Sequence, residues 1–100
     1  MGKTIRTKAV KEMFDAILTL EEEEECYKFF EDVCTVPEIK AMAQRYNVAE
    51  MLDRGCVYSE IVKETGASTA TISRVNRSLS YDGSGGYNIV FDRLDKKEDK

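Results

Sequence analysis

The chain has no histidine, so the commonest general base of enzyme chemistry is missing. Its cysteines are few and ill-spaced for metal. Cys26, Cys34 and Cys56 are odd in number and show no C-x-x-C pair. A zinc site would need all three distant thiols plus a carboxylate, and none is expected. Three reduced, mostly buried thiols in a cytosolic protein are the expected reading. No Gly-rich segment leads into Lys-Ser/Thr, so there is no phosphate loop. No apolar run reaches the length that spans a bilayer. The opening "MGKTIRTKAV" is positive but lacks the apolar stretch of a secretory signal. Gly2 is present, yet Arg6 stands where the myristoylation pattern needs Ser or Thr. These absences predict a cytoplasmic protein that is not an enzyme and has no metal, cofactor or membrane partner.

A further absence is local. "GASTATISRVNRSL", Gly66 to Leu79, contains no acid, although the chain has a formal charge of −4. A pI near 4.9 argues against a general nucleic-acid coat but leaves room for one basic face.

What is present suits a folded chain. Hydrophobic residues make up 42% and charged residues 34% of its 100 residues, enough for one domain or for one subunit sharing its core with another. Val10, Met13, Phe14, Ile17 and Leu18 fall at helical spacing and predict a first helix over about Lys3 to Leu20. Thr19 and Leu20 then precede Glu21–Glu25. Acids directly after a Thr suit the positive end of a second helix. That run reads as a solvated helix start rather than a catalytic carboxylate pair. The second helix places Cys26, Phe29, Phe30, Val33 and Cys34 on one stripe, as core or dimer interface. Thr35 can cap a third helix, with Pro37 and Glu38 in its first turn. It runs to about Arg54 on Ile39, Met42, Ala43, Tyr46, Ala49 and Leu52 or its neighbours, and Gly55 ends it. Two shorter helices follow, about Ser59 to Thr65 and, capped by Ser68, onward to Leu79. "SYDGSGG" is a break, "YNIVFDRL" a helix or strand, and "DKKEDK" a tail expected to fray.

The two short helices form a helix-turn-helix pattern. Gly66 provides the tight turn, and Ile61, Val62, Ile72 and Val75 can pack the helices together. The outer face then carries Ser68, Thr69, Ala70, Ser73, Arg74 and Arg77, which suit a DNA groove. Ala70 and the Thr methyl can approach a thymine methyl, the hydroxyls can bond bases or phosphates, and the arginines can read guanine or clamp phosphate. Ser59 and Lys63 on the preceding helix can meet the backbone. From Arg54 to Ser80 the charge is +2. A plain helical hairpin with a capped turn shares the Gly and apolar spacing, but not the acid-free polar face.

"RG…GASTATISRVNRSL" resembles the reading head of the Trp repressor superfamily. From the first helix through "GSGGYNIVFDRL", about residues 3 to 94, the chain resembles the YerC/YecD family within it. The resemblance implies an all-α, intertwined homodimer whose helix-turn-helix heads meet successive major grooves of a palindromic operator. It implies one domain over 1–94, with dimerisation helices in 3–54, the helix-turn-helix in 57–80 and a C-terminal segment in 87–94. Residues 95–100 are expected to form a flexible tail. It also implies a ligand position between the third helix and the reading helix, with Thr35, Arg45, Arg74 and Ser78 at the matching places. The pattern departs at Val75, where the repressor has a glycine that leaves room for a flat indole. A Val there costs about 1–3 kcal/mol of overpacking, which argues against a tryptophan corepressor. The arginines can instead hold phosphate, a partner's acidic side chain or another small anion; for Arg45 a structural salt bridge is expected ahead of a ligand role, and for Arg74 phosphate and ligand contact are expected equally. The function expected is sequence-specific transcription regulation, most simply repression. The alternative is a protein-interaction module that keeps the fold without an operator and meets a basic partner through Glu21–Glu25.

Overall fold

The structure, a computed structural model, describes residues 4–98, with side chains as far as Lys96. Among the described residues the fold is all-α: α1 (Lys8–Ile17), α2 (Glu23–Val33), α3 (Val36–Asp53), α4 (Tyr58–Thr65), α5 (Thr69–Ser80) and α6 (Gly86–Glu98). No helix among them is long and apolar enough to cross a membrane. The chain divides into two compact units, one through Val36 and one from Pro37.

In the N-terminal unit α1 is shorter than its apolar pattern predicts. Thr7 begins it, its hydroxyl accepting from the Val10 N–H at 3.2 Å. Lys3 lies outside the described residues, and residues 4–7 precede the helix. Thr19 does not start α2. Its hydroxyl donates back to the Ala16 carbonyl at 2.7 Å and closes α1. The α2 cap is Glu22, in a capping box: the Glu25 carboxylate accepts from the N–H groups of Glu21 at 2.7 Å and Glu22 at 3.3 Å. The acid run thus supplies its own cap as well as charge suited to the helix dipole. Neither helix contains a buried residue. Phe29 and Phe30, half-buried, meet edge to face with ring centres 5.4 Å apart. The thiols also differ from expectation: Cys26 is exposed, Cys34 and Cys56 are half-buried, and all are free.

The C-terminal unit has a true core of Val48, Ala49, Met51, Ile61, Ala67, Ile72, Val75 and Phe91. On α3 the buried residues are Val48, Ala49 and Met51; of the predicted stripe Ala49 is buried, Tyr46 and Leu52 pack against the core, and Met42 and Ala43 are exposed. Only the second half of α3 faces this core, so the spacing of its first half does not report burial here. At its end, Gly55 N–H donates to Leu52 and Cys56 N–H to Met51, each at 3.0 Å, a Schellman closure. Gln44 Nε2 donates to the Thr65 carbonyl at 3.1 Å and ties α3 to the end of α4. The segment after the Gly-rich break is a helix. Phe91 buries itself from it, packed near Tyr46 and Tyr87. The helix continues to Glu98, past the point where the tail was expected to begin; Lys and Glu there are good helix formers.

Candidate nucleic-acid interface

The helix-turn-helix is built from a few local rules. Gly66 takes a left-handed φ of +75°, which a side chain would make costly, and its N–H donates to the Val62 carbonyl at 2.9 Å. The Thr65 hydroxyl donates to the Ile61 carbonyl at 2.8 Å and accepts from the Ala67 N–H at 3.1 Å, bracing the turn. Ser68 then caps α5, accepting from the Thr71 N–H at 3.1 Å. Ile61 and Ile72 are wholly inaccessible and Val75 is 3% exposed, so α4 and α5 meet over an apolar seam. Val62 is not part of it. It is 37% exposed, because one helical step beyond Ile61 turns it outward.

With that seam inside, every residue expected to face DNA is exposed: Ser59 and Lys63 on α4, Ser68 at the turn, and Thr69, Ala70, Ser73, Arg74 and Arg77 on α5. Ala70, Ser73, Arg74 and Arg77 line one surface depression together with Ser78 and Asp82. Ser68 is partly committed. Its hydroxyl is engaged by Thr71, both main chain and side chain. Asp82 is a residue that sequence reasoning missed; its Oδ2 lies 2.7 Å from Arg77 Nη2.

The cations of this region are not equivalent. Arg54 is held by Glu50 through Nε to Oε2 at 2.8 Å and Nη2 to Oε1 at 3.1 Å. The hydrogen bond and charge of Glu50 push the Arg54 pKa above its ordinary value. Arg77 is held by Asp82. Lys63 and Arg74 make no ion pair among the described residues.

Three of the four residues at the matching ligand positions converge. Arg45, Arg74 and Ser78 line a cavity of about 440 Å³ between α3 and α5, with Gln44, Thr71, Val75 and Tyr87 among the other walls. Thr35 precedes α3 in the N-terminal unit and is not among those walls. Arg45 makes no salt bridge among the described residues. Tyr87 was not foreseen as a wall residue. The signal was its place directly after the Gly-rich break, the first aromatic that the returning chain can lay against α5.

The family model for Trp repressor protein matches residues 8–95. YerC, an uncharacterized protein of Bacillus subtilis strain 168, is 50% identical over 94 residues, covering 94% of this chain and 89% of that protein. The crystal structure of a TrpR-like protein from Eubacterium eligens superposes with a TM-score of 0.86 at 56% identity, covering 90% of this chain and 92% of the other. A candidate Trp repressor from Staphylococcus aureus gives the same TM-score at 54% identity, over 91% and 90% of the two chains.

Proposed function

The chain belongs to the Trp repressor protein family, and from that premise we propose that it is a sequence-specific DNA-binding transcription regulator, acting as a homodimer on a palindromic operator. The family's fold is that of a non-enzymatic DNA-binding regulator. The observation that carries the reading is the sorting of α4 and α5: Ile61, Ile72 and Val75 are sealed in the seam while Thr69, Ala70, Ser73, Arg74 and Arg77 lie on the open face of α5. Small side chains there let a helix approach base edges, and the arginines supply the phosphate or guanine contacts.

The homodimer rests on the other unit. Phe14, Leu18, Tyr27 and Val33 are 45%, 81%, 56% and 52% exposed, more apolar surface than a soluble monomer usually shows. A second copy that covers it would form an obligate, core-like interface. Two reading heads on one dimer predict half-sites about 34–36 Å apart, one helical turn of DNA. Repression in the cytoplasm follows from blocking a promoter. For the cavity beside Val75 we propose no tryptophan corepressor, since the Val side chain stands in its wall. Millimolar tryptophan should leave the melting temperature unchanged in a thermal-shift assay; a rise would overturn this point.

Binding-site selection from random duplexes, followed by sequencing and gel shift, tests the whole reading. Wild type should enrich a two-fold symmetric site and lose affinity steeply with salt. Arg74→Ala and Thr69→Ala should each weaken binding to that site, by about 1–3 kcal/mol where they read a base. No binding at low salt, or variants that bind as well as wild type, sinks it. Absence of DNA binding together with a stable heteromeric complex would instead support a protein-interaction module.

A further inference from the structure

The reading stretch has no acid in sequence, yet the fold brings one to it. Asp82 lies beyond the end of α5, and its carboxylate pairs with Arg77 at 2.7 Å. It lines the same depression as Ala70, Ser73 and Arg74. The main chain fixes this placement. The N–H groups of Tyr81 and Asp82 both donate to the Arg77 carbonyl, at 2.8 and 2.7 Å. The next residue, Gly83, comes so near Ser78 that a Cβ would stand 1.6 Å from the Ser78 carbonyl oxygen. The backbone therefore holds Asp82 beside Arg77 across the end of α5.

Arg77 and Asp82 side chains are 70% and 59% exposed, so the pair adds little to folding stability. Its consequence lies at the surface. A carboxylate on a face that meets phosphate repels the ligand and occupies a cation the ligand needs. We propose that Asp82 is a positioning residue for specificity: it withholds Arg77 from DNA in general and releases it where the remaining contacts outweigh the pair. This rests on the DNA-binding reading above. With Arg54 already held by Glu50, Lys63 and Arg74 are then the cations of the head that meet any duplex first.

Anisotropy titrations of the full-length protein test this, with a random-sequence duplex pool and with the sequence that wild type selects from it. Asp82→Asn should bind the pool about two- to fivefold tighter at low salt, the range of an exposed ion pair. The slope of log affinity against log salt should steepen by about 0.9, one added phosphate contact. The selected duplex should gain less, so the specificity ratio falls. Asp82→Glu should restore wild-type values, and Arg77→Ala should remove most of the gain from Asp82→Asn. A merely structural role would move the melting temperature and leave the slope alone. Wild-type affinity and slope in Asp82→Asn, or a gain undiminished in the Arg77→Ala background, overturns the inference while DNA binding stands. Wild type that binds neither duplex at low salt overturns the DNA-binding reading and this inference with it.

Discussion

The two units use the same device, an amphipathic helix with a polar cap, and reach opposite ends. From Pro37 onward the apolar residues find one another, and Val48, Ala49, Ile61 and Ile72 are almost entirely removed from water. Through Val36 they do not: α1 and α2 hold no buried residue, and Leu18 is four-fifths exposed. Their helical order comes from local bonds, the Thr7 cap, the Glu25 capping box, and exposed Lys8–Glu12 and Lys11–Asp15 pairs one turn apart. Such pairs contribute about 0.2–0.5 kcal/mol each, too little to hold two helices in water. A helix can thus be fully formed while its apolar face still awaits a cover.

The contrast can be broken at several points. Ile72→Ala strikes the seam where burial is complete and should cost about 2–5 kcal/mol in chemical denaturation. A cost below about 1 kcal/mol would mean that the seam is not what stabilises the head. Phe14→Glu strikes the exposed face of the other unit. If a second copy covers it, sedimentation should show a dimer weakened by about 2 kcal/mol, roughly thirtyfold in dissociation constant. An unchanged sedimentation profile would leave that face without a role in assembly. Ser68→Ala removes the α5 cap and should lower stability by about 1 kcal/mol, read as a drop in denaturation midpoint. Lys11→Ala, at an exposed pair, should change stability by less than about 0.5 kcal/mol. A larger loss would show that the N-terminal helices depend on surface charge more than the geometry implies.

Much of the reading head was legible in the sequence because its determinants are local. Gly66 as a left-handed turn, Ser68 as a cap and Ile72 as an inward residue each follow from residue type and spacing. Val62 was misread for want of a phase: Ile61 and Val62 are adjacent, and spacing alone does not say which of them sits at the centre of the seam and which turns outward. "YNIVFDRL" stayed open between helix and strand because a short apolar run fits either period. Its neighbours in space, Tyr46 and the α5 end, decide it. The acid run marked the start of α2 without naming its cap, because the reciprocal bond between Glu22 and Glu25 needs coordinates to be seen. Asp82 was invisible for a similar reason. Its pairing with Arg77 crosses the end of a helix, where the chain reverses in a way no periodicity records.

Gly83 has a consequence for how this sequence can drift. Its neighbour across the turn is a main-chain carbonyl, which no rotamer change can move aside. In a saturation library sorted for folding, glycine should dominate at 83. The rare survivors would be those that swing the turn outward, and with it the carboxylate of Asp82. Such variants would survive as weakened folds in which Asp82 no longer reaches Arg77, and a single added methyl group would thereby change the charge that this face presents.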